Sequence, residues 1–587
     1  MKKLLNIQTL IIATVIITGS MILVSCKKGF LDRPVQGALN EQVLANSAGL
    51  YKLLVGAYAS LDGINIGGGT WETSPDNWIY GSVAGGDAHK GSDASDQPPI
   101  NTIANWTLDP SNGFMNSHWN GRFEQISRAN AVLRILPKAE GLTDSEKKAF
   151  EGEARFLRGL GYFEVKKMFN KVPWIDETTT EYKQPNTADI WPNIEADFKF
   201  AYDNLNGTAP SIGRANKWAA GAMLGKTLLY QKKYGEAKAV FTDVINNGTN
   251  SAGVKYDLNA RFEDNFDPAT KNNKETVFQV QMSVNDGAGD INNAYKGAML
   301  NFPYGGPFGC CGFYQPTIDL ANSYRTDASG LPYLDNYNDV IVTHDLGVKS
   351  TDPFTPYSGT LDPRIDWTIG RRGLPYKDWG YHPGQSWIRD QNNAGPYSPL
   401  KNVFWKVTSD KYWDKSSWAP GSAINVNIIR FADVLLLAAE AEAQTDGLAK
   451  ALEYVNRVRN RAGTPQTVVY KYLDASQPEK GFSATPAANY LVKPYASFAN
   501  KDFALKAIYF ERKLELAMEG HRFFDISRWG IAGQVMNAFY AFEKRFTSDI
   551  AEGKFTTGKN EYFPIPLTQI DLSAIDGTPT LTQNPGY

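Results

Sequence analysis

Apolar positions recur with helical period over seven blocks, at about 41–60, 116–136, 144–169, 189–205, 215–246, 430–461 and 501–529. In the last block Ala507, Phe510, Leu514 and Ala517 share one face, which predicts an amphipathic helix laid on a core. Gly520 is the expected stop, and His521 to Trp529 form a tight aromatic and basic exit. Between the helical blocks lie long stretches rich in aromatic residues, Gly and Pro. The pattern predicts a mainly α protein, with helix hairpins as scaffold, long loop excursions and a few short strands.

The hairpin 215–246 has a recognisable grammar. Leu224 and Gly225 fall where two helices must touch, Ala237 follows Gly225 by twelve residues, and Phe241 comes four later on the same face. That spacing resembles the tetratricopeptide unit, in which small residues let antiparallel helices approach and an aromatic ring fills the groove. The hairpin 430–461 repeats it loosely, with Ala439, Ala451 and Val455 in the matching places. Nearly two hundred residues separate the hairpins, so a continuous superhelix is not expected. The chain divides into a leader at 1–25, a lead segment at 26–40, a helical region at 41–250, a loop-rich insertion at 251–425 and a second helical region at 426–587.

Two excursions concentrate tryptophan. Residues 71–119 hold Trp71, Trp78, Trp106 and Trp119, and residues 367–418 hold Trp367, Trp379, Trp387, Trp405, Trp413 and Trp418. Ten of the fourteen tryptophans thus sit in these two windows, which are rich in Gly, Asp, Asn and Pro and read as loops or short strands that a rigid scaffold would display. Sugar rings present flat C–H faces to aromatic rings and hydroxyls to charged or amide partners. The stretch GTWETSPDNWIYGSVAGGDAHKGSDASDQ offers Trp71, Asp76, Asn77, Trp78 and Asp87. IGRRGLPYKDWGYHPGQSWIRDQ offers Arg371, Arg372, Tyr376 and Trp379, and GPFGCCGFYQP offers Cys310, Cys311 and Tyr314. These twelve are the glycan-binding candidates.

The N-terminus reads as a lipoprotein signal peptide. Lys2 and Lys3 precede an apolar run from Leu10 to Val24, and small Ser25 precedes Cys26, the expected lipidation site. The run is short for a spanning helix, which needs roughly 20 residues. An acyl anchor would hold the mature protein to a membrane without crossing it. The other two cysteines, Cys310 and Cys311, are neighbours. In an exported chain they form either a strained vicinal disulfide or a pair of packed thiols.

A net charge of −2, from 60 basic and 62 acidic residues, argues against a nucleic-acid partner. The string AGAMLGKT at 220–227 fits a phosphate loop formally, but it lies in a helical run whose N–H groups are already used. Glu511, Glu515 and Glu519 form a stripe of carboxylates that reads as an ion-pair network with arginines such as Arg430, Arg457, Arg459 and Arg528, rather than as a hydrolase pair. His89, His118, His344, His382 and His521 make no metal-ligand spacing. No catalytic constellation, metal or cofactor is implied. A glycoside hydrolase and a protein-only adaptor remain as alternative readings.

The string ERKLELAMEGHRFFDISRWG at 511–530 resembles a signature of the SusD/RagB family. FLDRPV after Cys26, EARFLRGLGYFEVKKMF with Arg155 and Arg158, RFADVLLLAAEAEA followed by ALEYVNRVRNRAG, and the closing EYFPIPLTQID and QNPGY resemble the family's other motifs, in the same order. The resemblance implies a helical fold with tetratricopeptide-like units and a non-catalytic glycan-binding lipoprotein at the outer membrane. It also implies a SusC-like TonB-dependent transporter as partner, over which such a protein sits as a lid to deliver oligosaccharides. GRRGLPYKDWG and GCCGF resemble a subgroup with fructan-like ligands. Lys27 and Lys28 depart from the acidic run that often marks export to the outer leaflet.

Overall fold

The computed structural model describes residues 41–288 and 293–587; the leader, the lead segment and Cys26 lie outside the described residues. Nine helices form the frame: α1 (Ser47–Ala59), α2 (Gly113–Ile135), α3 (Asp144–Phe169), α4 (Trp191–Asn204), α5 (Lys217–Tyr230), α6 (Tyr234–Asn247), α7 (Phe431–Gln444), α8 (Leu448–Ala462) and α9 (Lys501–Glu515). Local chemistry sets several starts. Asn46, Asn112, Asn216 and Asn500 each accept a hydrogen bond from a first-turn N–H, and Thr143 with Glu146 closes a capping box. No helix among the described residues is long and apolar enough to cross a membrane.

Each helix from α1 to α7 packs on the next, and α7 packs on both α8 and α9. The contact of α6 with α7 corrects one expectation. The array is continuous through space although the insertion 251–425 interrupts it in sequence. The predicted close approach at Gly225 is present: a Cβ there would lie 2.6 Å from the Phe241 ring, so only glycine admits the aromatic. The matching Ala439, Ala451 and Val455 are fully buried.

The block 501–529 is not one helix. α9 ends at Glu515, and Met518 and Gly520 both take positive φ, 61° and 74°. Arg430 (2.7 Å) and Lys401 (3.3 Å) donate to the Glu515 carbonyl, satisfying it from outside the helix. Gly520 then packs directly on the Asp76 backbone carbonyl, before a separate short helix at Arg522–Arg528. AGAMLGKT lies within α5, as predicted, and its Lys226 pairs with Asp433 at 3.2 Å.

The carboxylate stripe is a buried ion-pair network. Glu511 meets Arg364 and Arg459 at 2.8 Å each, Glu515 meets Arg364 (2.7 Å), Arg430 (2.6 Å) and Arg461, and Glu519 meets Arg430 (2.8 Å) and Lys401 (2.7 Å). Burial alone would raise the Glu515 carboxyl, but Arg461, Arg430 and Arg364 hold it well below the usual carboxylate range. Arg457 and Arg528 are not members; they pair with Asp257 (3.5 Å) and with Glu440 (2.6 Å). Because Arg364 and Lys401 come from the insertion, the network fastens the insertion to α9.

The strands are short and form two-stranded sheets. β1 (Ala88–Gly91) runs antiparallel to β3 (Phe313–Pro316), with Gly91 opposite Phe313. β2 (Thr276–Val280) runs antiparallel to β4 (Val426–Arg430), with Thr276 opposite Arg430. The first pair sets the loop after β1 beside the loop before β3.

Candidate functional site

The loop 301–312, NFPYGGPFGCCG, contains no charged side chain. Its base is closed by backbone bonds from Gly312 N–H to Phe302 (2.8 Å) and from Phe313 N–H to Leu300 (3.1 Å). Beneath it Phe308 packs against Phe302, Trp379 and Phe404, with ring centres 5.4, 4.9 and 6.2 Å away. Trp379 is locked by an Nε1–H bond to the Phe404 carbonyl (2.9 Å). Cys310 and Cys311 are joined as a vicinal disulfide, Cys310 half-buried and Cys311 buried. Tyr304 stands outward at 43% exposure.

A second loop meets this one edge-on. The N–H groups of Tyr304 and Gly305 donate to the Trp387 carbonyl at 3.0 and 3.3 Å, and Gly306 lies against the Trp387 indole, where a Cβ would come within 2.3 Å of Nε1. Two residues on, Arg389 places its guanidinium 5.1 Å from the Tyr304 ring centre. The same guanidinium reaches the third loop, after β1, donating to Ser92 Oγ (2.8 Å) and Asp96 (2.9 Å) and pairing with Asp93 (2.6 Å). Lys90, fully buried at the root of that loop, donates to the Asp93 and Asp96 carbonyls, and burial lowers its ammonium to about 8. Three loops thus converge on an outward aromatic ring, a disulfide and a guanidinium flanked by two carboxylates. Arg389, Asp93 and Asp96 all stay about a third exposed, with lone pairs and N–H groups left for a ligand's hydroxyls.

Most of the candidates chosen from sequence lie elsewhere. Trp78 is fully buried against Phe313 and Tyr314, with its Nε1–H bonded to the Gly297 carbonyl at 3.2 Å, so neither ring face is open to a sugar. Trp106, Trp119 and Trp367 are likewise core residues, whereas Trp71 is half-buried on the core edge. Asn77 is engaged with Glu164 (2.9 Å), and Asp87 is interior, its carboxyl raised to about 6 by burial. Arg371 makes a two-point pair with Asp366 (2.8 Å at both oxygens), and Arg372 donates to the Ser350 and Asp352 carbonyls. Tyr376 is buried, bonded to the Pro399 carbonyl.

Asp76 and Tyr314 do come together, on a half-open hollow of about 50 Å³ shared with Tyr295, Lys401, Asn402 and Glu519. Burial raises the Asp76 carboxyl, which is held by Tyr295, Ser74 and the Trp78 N–H. That volume is enough for one or two waters. The converging face retains Cys310 and Cys311 from the predicted set, supported from below by Trp379. The face also takes in Tyr304, Trp387, Arg389, Asp93 and Asp96, none of which is among the candidates from sequence. The legible signal for them was the charge-free loop 301–312, flanked by two loops whose Asp and Arg have no partner at helical spacing.

Comparison with known proteins places the fold. A model described as the SusD family matches residues 274–587, more than half of the chain, and one described as starch-binding, associating with outer membrane, matches 49–229. The chain belongs to the SusD/RagB family. SusD-like protein P25 of Formosa agariphila is 25% identical over 472 residues, covering 78% of this chain and 77% of that one. Among solved structures, a SusD superfamily protein from Bacteroides vulgatus superposes with a TM-score of 0.65 at 21% identity, covering 93% of this chain and all of that one. Surface glycan-binding protein A from Bacteroides thetaiotaomicron, in complex with laminarihexaose, gives 0.63 at 19% identity, over 92% and 99% of the two chains. The mainly α, tetratricopeptide-like scaffold is therefore the SusD fold. None of these names a fructan, and the arginines of GRRGLPYKDWG are engaged internally, so the fructan-like expectation is without support.

Proposed function

We propose that this SusD-family chain is a non-catalytic glycan receptor that binds oligosaccharides on the face formed by Tyr304, the Cys310–Cys311 disulfide, Trp387 and Arg389. The observation that carries the reading is the Tyr304–Arg389 pair: an exposed ring held beside a guanidinium whose carboxylate partners remain partly open to solvent. A pyranose or furanose ring stacks on such a surface through its C–H face while its hydroxyls reach the charged edge. The glycan-bound relative and the starch-binding description of the family model agree with it.

The rest of the role follows the family. The mature protein is lipid-anchored through Cys26 at the outer membrane, surface-exposed, and delivers its ligand to a SusC-like TonB-dependent transporter. Two observations weigh against a hydrolase. The carboxylates of the 511–519 stripe are locked to arginines or lysine, and Asp93 and Asp96 share one guanidinium. Calorimetric titration of the purified protein with a panel of polysaccharides, followed by a reducing-end assay on the binders, tests the proposal. Binding without release of reducing ends supports it; hydrolysis, or transporter binding with no affinity for any glycan, overturns it.

A further inference from the structure

Charge on the same three loops narrows the ligand class. We infer that this face selects uncharged glycans and discriminates against those carrying uronate or sulfate groups, an inference that rests on the glycan-receptor reading. Loop 301–312 contributes no charge at all. Of the two cations on the flanking loops, Arg389 is already shared between Asp93 (2.6 Å) and Asp96 (2.9 Å). Lys90 is fully buried and turned toward backbone carbonyls. A third carboxylate, Asp390, adjoins Arg389 and caps the N–H groups of Asn392 and Asn393 at 3.0 and 3.3 Å.

Lys90 is turned inward and Arg389 is already balanced by Asp93 and Asp96, so with Asp390 the carboxylates outnumber the cations at the open edge. A ligand carboxylate or sulfate would lose hydration and find the charge of Arg389 already balanced by two carboxylates, while meeting like charge a few ångströms away. A hydroxyl has no such difficulty: it donates to Asp93 or Asp96 and accepts from Arg389 without disturbing their pairing. Lys411, the cation at 367–418 without a carboxylate within 4 Å among the described residues, lies over Tyr412 and not on these loops.

One uncompensated charge about 4 Å away changes affinity by roughly fivefold in a water-like dielectric and by tenfold or more where the face is partly desolvated. The test titrates the purified protein with neutral hexasaccharides of several α- and β-linkages, and with hexasaccharides bearing carboxylates or sulfates, at low and at moderate salt. The expected result is measurable binding of at least one neutral hexasaccharide, with the acidic ones at least tenfold weaker at low salt and the gap narrowing as salt rises. Asp93→Asn with Asp96→Asn frees Arg389 and should improve acidic binding by tenfold or more. Acidic hexasaccharides binding the unaltered protein as tightly as neutral ones would overturn the selectivity and leave the receptor reading intact. Failure of every hexasaccharide, neutral or acidic, would overturn the receptor reading itself.

Discussion

The guanidinium of Arg389 lies 5.1 Å from the centre of the Tyr304 ring and also holds Asp93 and Asp96 of another loop. One side chain therefore sets both the aromatic surface and its polar edge. Lysine keeps the charge but loses the planar fork that spans both carboxylates. Arg389→Lys is expected to weaken glycan binding by about fivefold or more, with little change in melting temperature, since exposed substitutions usually cost within about 0.5 kcal/mol. Titration calorimetry beside a thermal melt checks both halves.

Tryptophans of the two sequence windows have opposite roles. Trp78 is fully enclosed, whereas Trp418 is 69% exposed. Trp78→Ala should destabilise the fold by about 3–5 kcal/mol, as for other buried aromatics truncated to alanine. Trp418→Ala should leave stability unchanged. Denaturant midpoints of the two variants decide; equal midpoints would contradict the packing.

Glu515 meets three arginines in the seam between α9 and the insertion. Glu515→Gln removes the charge and leaves buried guanidinium groups short of a counter-charge, a situation that costs about 3–5 kcal/mol where one partner of a buried pair is removed. The expected readout is a lowered unfolding midpoint, together with faster proteolysis of the 251–425 insertion than of α1–α6. An unchanged midpoint would show the network to be dispensable.

The helical frame was legible because burial of one helix face writes a period of 3.6 into the sequence, and hairpin packing writes small residues such as Gly225 and Ala439 at the contacts. The end of α9 was not, because it is set by Arg430 and Lys401 binding the Glu515 carbonyl from 85 and 114 residues away. The proposed binding face was legible only in part. An aromatic-rich loop looks the same whether its rings anchor the loop, as Trp78 and Tyr376 do, or face outward, as Tyr304 does; no periodicity separates the two. Cys310 and Cys311 were readable because adjacency itself constrains their chemistry. Arg389 was hidden because its partners, Asp93 and Asp96, lie nearly three hundred residues away.

Two buried histidines give opposite pH limits. For His89, burial opposes the charged form, but Asp549 (3.0 Å) and Glu543 (3.1 Å) prevail and raise its pKa to about 10 from 6.5. Its folded value exceeds the unfolded one, so its stabilisation is full below pH 6.5 and is lost as pH rises toward 10. His89→Asn should flatten the alkaline decline in melting temperature.

Burial lowers His382 to about 3, and its neutral ring bonds Ser398 Oγ (2.9 Å) and the Gly384 N–H (3.1 Å). Here the folded value lies below the unfolded one. The stabilisation is present above pH 6.5 and is lost as pH falls toward 3. His382→Asn should lower stability at pH 7 and shrink the further loss between pH 6.5 and 4, as read from melting temperatures across that range.

The most direct measurement is calorimetric titration of one bound neutral oligosaccharide into the unaltered protein, Tyr304→Ala and Trp71→Ala, each verified by thermal melt to be folded. With Tyr304 as the stacking ring, Tyr304→Ala should bind at least tenfold more weakly while Trp71→Ala retains its affinity. Full affinity in Tyr304→Ala, or loss confined to Trp71→Ala, would place the ligand elsewhere on the molecule.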